Sequence, residues 1–344
     1  MCKIVSIEFI NHPIFKTTVF DFTNGKGVAD TIVFVGENGA GKTRLVEELY
    51  YGTKAKYTID VPVRTECQTI IELDLTDEDF YNLENPRERV LTARLITSSD
   101  SDSTEIFRKV EFSAEKVGEK GKHNQITTFS LNSAYSTTEI NYIAKRPVTG
   151  VTDEVLDSGV LKESDDVARD ITQLLVDISS QDNDDIALAV RQNPTAPVPK
   201  ALLDNLRMKR FSQAFKTMFG TKLKYKTVRR NIVPIFEKDG QEIELHSLSS
   251  GEKQIVFRSI YLLRNIQNLT GAPIFLDEPE LSMHPKWARK IYDFYRNLFI
   301  VKGKQTSQVF MATHSADIIG AAIGDERAVV LSLCLDCGNA KKIF

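Results

Sequence analysis

The eight residues Gly36-Glu37-Asn38-Gly39-Ala40-Gly41-Lys42-Thr43 restrict what this chain can fold into more than any other stretch. An apolar run, Thr31-Ile32-Val33-Phe34-Val35, precedes them, and Arg44-Leu45-Val46-Glu47-Glu48-Leu49-Tyr50 follows with helical spacing. Strand, glycine-rich turn and helix, in that order, is the setting in which G-x-x-x-x-G-K-[ST] cradles a polyphosphate. The glycines let backbone N–H groups turn inward, and the helix N-terminus adds the positive end of its dipole. On this reading Gly36, Glu37, Asn38, Gly39, Ala40 and Gly41 form the cradle. Lys42 sits on the β- and γ-phosphates, and the Thr43 hydroxyl binds Mg²⁺.

The chain has 344 residues, enough for one large domain or two ordinary ones. Apolar content of 42% and charged content of 26% fit a globular protein with a sizeable core. The net charge of -3 provides no overall basic field, so any contact with nucleic acid must be local. No run is long and apolar enough for a membrane helix, and Met1 to Glu8 reads as a strand rather than a signal peptide. The cysteines, Cys2, Cys67, Cys334 and Cys337, are too scattered for a disulfide framework, which makes the cytoplasm the expected compartment. Cys334-Leu335-Asp336-Cys337-Gly338 reads as a hairpin turn with two reduced thiols. A structural zinc needs four ligands, and no second pair lies nearby.

Strands are expected at 3–10, 18–22, 69–73, 90–96 and 107–112, with a polar loop over 98–103, giving a largely antiparallel lobe beside the phosphate loop. Residues 113–126 read as a loop and 127–142 as a further strand and its exit. From Asp153 to Asp185 the chain is acidic with helical periodicity, and Asn193 to Pro199 breaks that region. The next block is basic: Arg207, Lys209, Arg210, Lys216, Lys222, Lys224, Lys226, Arg229 and Arg230 fall where no acid occurs. It could meet a phosphate backbone, or it could be a solvated face or a surface meeting the acidic segment. Two strands then flank the turn Lys238-Asp239-Gly240-Gln241.

Leu248-Ser249-Ser250-Gly251-Glu252-Lys253-Gln254 opens a helix with serine caps and a glutamate in its first turn. Ala272-Pro273-Ile274-Phe275-Leu276-Asp277-Glu278-Pro279 is an apolar strand ending in two carboxylates. One of these can hold Mg²⁺ beside a phosphate loop, and the other can orient or deprotonate water. Val309-Phe310-Met311-Ala312-Thr313-His314-Ser315 is a second buried strand, ending in a histidine.

This ordered set resembles the ABC-type ATPases, and within them the soluble branch that includes RecF, SMC and overcoming-lysogenization ATPases. The resemblance covers both ends of the chain. It implies an α/β fold: a P-loop NTPase, the ABC ATPase head, with an antiparallel β lobe and an inserted helical subdomain. The implied division is 1–145 for the N-terminal lobe, 146–235 for the helical insert and 236–344 for the C-terminal lobe. The cofactors implied are ATP and Mg²⁺, and the activity is ATP hydrolysis, which can be slow. Two copies would pair head to tail, as a dimer or higher oligomer, with Ser249, Ser250 and Gly251 on the γ-phosphate bound to the partner. Thr43 and Asp277 would support Mg²⁺, Glu278 would act on water and His314 would sense the γ-phosphate. Ser282, Met283 and His284 would form the loop that crosses the interface.

Two features depart from the family pattern. Ser250 stands where the common transporter signature has glycine, and no clear Q-loop glutamine occurs, Glu139 and Asn141 being the substitutes. The adenine-stacking aromatic is unassigned, with Phe15 as a candidate.

The resemblance also sets the functional alternatives. The connection between P-loop and signature is too short for a long paired coiled coil. Only about thirty residues follow His314, which leaves no space for a nuclease domain. The leading expectation is an ATPase controlling a separate effector such as a nuclease, as in bacterial anti-phage systems of the Septu, retron-linked and PARIS types. The alternatives are a RecF-like repair ATPase binding DNA directly through Arg207–Arg230, and a scaffold that binds ATP without hydrolysing it.

Overall fold

The computed structural model describes residues 2–58, 61, 66–75, 89–99, 106–115, 128–129, 131–137, 160–161, 171–228, 234–264, 271–281, 283–333 and 341–342. Two compact units interleave along the chain. The first contains Met1–Tyr135, Asn268–Pro279 and Ser307–Phe344, and the second Ser136–Gln267 and Glu280–Thr306.

The first unit is built on two sheets. One is mainly antiparallel and runs, in spatial order, through Ile106–Glu115, Arg89–Ser99, Cys67–Asp74, Lys3–His12 and Lys16–Asp21. Alternation sets its register: Ile7 faces Ile71 and Phe20, and all three are buried, whereas Glu8 between them is not. Ser98 and Ser99, expected in a loop, instead continue the long strand. Ser98 is 2% exposed and pairs with Gln68 on one side and Phe107 on the other, so the ladder outweighs the turn preference of serine.

The other sheet is parallel at its centre. Ile274–Asp277, Val309–Thr313, Thr31–Val35 and Ala328–Ser332 lie side by side in that order. Their continuous apolar runs, TIVFV and VFMAT among them, suit strands covered on both faces, and every residue of these two is buried. Phe310 anchors the centre with its ring 5.3 Å from Phe22, 5.0 Å from Phe275 and 6.1 Å from Phe34. The helix Lys42–Lys54 covers one face through Leu45, Val46 and Leu49.

Gln308 stitches the two sheets together. Its side-chain amide donates to the carbonyls of Ile4 (3.1 Å) and Ala29 (3.0 Å), and its Oε1 accepts the Ile4 N–H at 2.7 Å. The residue is wholly buried, so all three bonds are shielded from water. They fix the root of the strand that ends at Thr313.

The second unit packs the helices Ile171–Gln192, Arg207–Phe219, Ser250–Arg264 and Pro285–Leu298 with a three-stranded sheet, Leu223–Val228, Pro234–Lys238 and Gln241–Glu244. The basic helix carries an apolar stripe, on which Phe211 and Phe215 are fully buried. Two of its basic residues are buried as well. Arg207 Nη1 lies 2.9 Å from both Asp182 Oδ1 and Asp185 Oδ2. The Asp182 carboxylate also accepts the backbone N–H of Arg207 (3.0 Å) and of Met208 (2.8 Å), so it caps the helix from outside. Arg210 donates to the Leu298 carbonyl at 2.8 Å and the Thr306 hydroxyl at 3.0 Å, and burial first, with the nearby Arg207 charge, lowers its pKa to about 10.

Removing the Asp182 carboxylate takes away two caps and a buried countercharge together. We expect Asp182→Ala to destabilise the helical unit by about 3 kcal/mol, read as a shift in denaturant midpoint. Asp182→Asn, which keeps acceptor capacity, should lose less.

Candidate active site

The glycines of the phosphate loop serve distinct needs. Gly41 caps the helix with φ 83° and ψ 11°, a left-handed conformation that side chains resist. A Cβ on Gly36 would lie 2.9 Å from the Leu333 carbonyl, so the strand Ala328–Ser332 closes against the loop only because no side chain is there. Between them the Ala40 N–H turns back to the Glu37 carbonyl at 3.1 Å. Glu37, Asn38 and Gly39 are exposed at the tip.

Lys42 is 5% exposed, and its ammonium folds over the loop onto the carbonyls of Gly36 (2.9 Å) and Glu37 (3.0 Å). Thr43, the next residue, donates its hydroxyl to Asp277 Oδ2 at 2.8 Å. The parallel register explains the meeting. Asp277 is level with Ala312, and Thr313 with Val35, so all three strands end on one edge, where the loop begins. Asp277 is 1% exposed, a carboxylate enclosed beside a helix N-terminus.

Glu278 lies one residue further on, with its N–H held by the Ala312 carbonyl at 2.9 Å. Its φ of 41° falls in the left-handed region, although it is not glycine and precedes Pro279. Its Oε1 lies 3.3 Å from His314 Nδ1, and His314 is half exposed. The first unit therefore brings together Gly36 to Thr43, Asp277, Glu278 and His314. Their groups are a glycine-rich loop at a helix N-terminus, an ammonium, a hydroxyl beside a carboxylate, and a second carboxylate beside an imidazole. The hydroxyl–carboxylate pair has the hard oxygen donors that Mg²⁺ takes, so the residues fit that ion.

Phe15 does not suit adenine stacking. It is 5% exposed, stacked 4.6 Å from Phe9 and 5.2 Å from His12, so its ring face is already covered. His12 in turn lies 3.5 Å from Glu48 on the phosphate-loop helix. Burial pushes the Glu48 carboxyl up, but bonds and charge from His12 and Arg44 outweigh it and hold the pKa below the usual value.

Ser249, Ser250 and Gly251 belong to the second unit. Ser249 caps the helix Ser250–Arg264: its N–H donates to Glu252 Oε2 at 2.8 Å, and its hydroxyl accepts the Glu252 N–H at 3.4 Å. Met283 and His284 lie in that unit too, where the His284 ring caps the helix Pro285–Leu298 by accepting the Lys286 N–H at 3.2 Å. Ser282, Glu139, Asn141, Cys334, Cys337, Arg229 and Arg230 lie outside the described residues.

The basic block is largely answered from within the protein. Besides Arg207 and Arg210, Lys209 pairs with Asp204, and Lys224 and Lys226 both pair with Glu237. It meets acid as the intramolecular reading expected, at Asp182 and Asp185. Among the described residues no cluster of three or more His, Cys, Asp or Glu could hold a metal, and no helix is long and apolar enough to cross a membrane.

The left-handed backbone at Glu278 has a measurable cost of about 1–2 kcal/mol. Glycine there relieves it and alanine does not. Glu278→Gly should therefore be more stable than Glu278→Ala by roughly 1 kcal/mol in denaturant unfolding, the reverse of their order in ordinary extended backbone.

Two solved structures share this architecture. The SmcHead bound to the C-winged helix domain of ScpA matches at 12% identity, covering 99% of this chain and 97% of that one, with a TM-score of 0.52. The Smc head domain with an extended coiled coil bound to the C-terminal domain of ScpA, derived from Pyrococcus furiosus, matches at 10% identity over 100% and 96% of the chains, with a TM-score of 0.50. At such identity the likeness is one of fold, that of a P-loop ATPase head. No curated protein sequence matches the chain. A family model described as "AAA domain, putative AbiEii toxin, Type IV TA system" matches residues 32–320, from the strand before the phosphate loop to the helix after His314. The chain belongs to that family, AAA_21, and its fold is that of the SMC head domains.

Proposed function

We propose that this protein is an ATPase that binds ATP with Mg²⁺ at Gly36–Thr43, pairs head to tail with a second copy, and controls a separate effector, such as a nuclease, in bacterial anti-phage defence. The observation that carries the reading is the 2.8 Å contact from Thr43 to Asp277, with Glu278 and His314 at 3.3 Å on the same sheet edge. That edge gathers the groups phosphoryl transfer to water needs, from distant parts of the chain.

The roles follow from the chemistry of each group. The ammonium of Lys42 turns from the loop carbonyls to the β- and γ-phosphate oxygens. Thr43 and Asp277 would hold Mg²⁺, which supplies positive charge against the phosphates when bound. Glu278 orients a water for in-line attack and takes its proton, with the imidazole of His314 steadying the carboxylate. Ser249, Ser250 and Gly251 of the second copy would close on the γ-phosphate, so its loss removes contacts on both sides and the pair loosens.

The family description, which names a putative toxin of a type IV toxin–antitoxin system, supports a role in bacterial conflict. Direct DNA binding through Arg207–Arg230 draws less support, because Arg207 and Arg210 are buried and Lys209, Lys224 and Lys226 are paired with acids.

Lys42→Ala should weaken ATP binding by tenfold or more in an equilibrium titration. Glu278→Gln should keep ATP binding and lower kcat by about a hundredfold or more. Turnover undiminished in Glu278→Gln would overturn the role given to Glu278, whereas full biological function in a variant without turnover would leave the non-hydrolysing scaffold.

A further inference from the structure

Lys238 ends the strand Pro234–Lys238, just before the tight turn at Asp239 (φ 50°) and Gly240 (φ 82°). Its ammonium reaches the start of the helix Ser250–Arg264 and grips both oxygens of Glu252, at 2.9 Å and 3.1 Å. The Glu252 side chain is only 6% exposed. One of the same oxygens, Oε2, accepts the Ser249 N–H at 2.8 Å. A single enclosed carboxylate thus fixes the backbone of the serine turn, and a residue of the neighbouring hairpin answers its charge.

The chemistry of this turn contains a conflict. A capping glutamate suits the helix N-terminus, but a full negative charge there repels a second anion brought to the same turn. Neutralising the glutamate by contact removes the repulsion while keeping the cap. The Ser249 hydroxyl accepts the Glu252 N–H, which leaves its own proton to donate.

We infer that Lys238 is a positioning residue for the Ser249–Gly251 turn. It cancels the charge of Glu252 and holds that carboxylate on the Ser249 N–H, so that the turn meets the γ-phosphate of ATP bound by a second copy as a neutral, pre-oriented donor set. The inference rests on the head-to-tail reading above. Its sequence signal is faint, a lysine 14 residues before the motif glutamate, with only the hairpin to bring them together.

The experiment measures self-association of the full chain by analytical ultracentrifugation with Mg²⁺ and a non-hydrolysable ATP analogue. The variants are Lys238→Met, Lys238→Arg, Glu252→Gln and the double variant Lys238→Met/Glu252→Gln. Binding of a fluorescent ATP analogue to the dilute monomer is measured in parallel. Lys238→Met should weaken analogue-driven association about tenfold, with monomer binding unchanged, and Lys238→Arg should restore most of it. The double variant should come back to within about threefold of Glu252→Gln, because an uncharged amide needs no counter-ion.

Association of Lys238→Met equal to wild type would overturn the inference. So would a double variant as weak as Lys238→Met, which would mean the lysine braces the hairpin and nothing more. Wild-type chain that binds the analogue yet never associates would overturn the head-to-tail reading, and this inference with it.

Discussion

A threonine hydroxyl and a carboxylate 234 positions apart in the sequence meet at 2.8 Å, and the rest of the first unit is arranged so that they do. Neither group would find the other through local structure. Thr43 is placed by a helix that can begin only where Gly41 permits a left-handed turn. Asp277 is placed by a strand whose register against Val309–Thr313 is fixed residue by residue. Each is aimed by apolar burial that has nothing to do with phosphate chemistry: Leu45, Val46 and Leu49 beneath the helix, Phe275 and Phe310 beneath the strands. The site thus inherits its precision from the core.

Two features around that contact carry tension that the surroundings absorb. Asp277 is a carboxylate with almost no access to water, tolerable beside a helix N-terminus and a hydroxyl donor. Glu278 takes a backbone conformation that its side chain disfavours, clamped by the Ala312 carbonyl on one side and followed by a proline on the other. Such departures from local preference belong where a carboxylate must point in one direction. Asp239 and Lys302, two of the other left-handed non-glycine positions, sit instead in tight turns beside glycine, where they reverse the chain.

Much of this was legible in the residues. The phosphate loop, the acidic strand end, the histidine strand and the serine-capped helix each carry a local signature, and each lies where its pattern put it. Uninterrupted apolar runs announced strands buried on both faces. What the sequence concealed was long-range. Nothing in the basic block distinguished Arg207 and Arg210, buried against acid and carbonyls, from the paired surface lysines, because a sequence shows charge and not burial. Phe15 looked available for stacking because its neighbours Phe9 and His12 are contributed by a strand that turns back over it. Gln308, unremarkable in type, holds two sheets together through backbone groups that carry no side-chain signal.

The order of the central sheet bears on how the chain comes off the ribosome. Thr31–Val35 has Val309–Thr313 on one side and Ala328–Ser332 on the other, so both of its neighbours are synthesised long after it. Until they emerge, four consecutive apolar residues, Ile32 to Val35, with open hydrogen-bonding edges wait for partners, a hazard for aggregation during synthesis. A message truncated between the phosphate loop and the histidine strand yields a polypeptide with a nucleotide loop but without the parallel strands that carry it. Nascent fragments of this protein should therefore depend on chaperones far more than the finished molecule does.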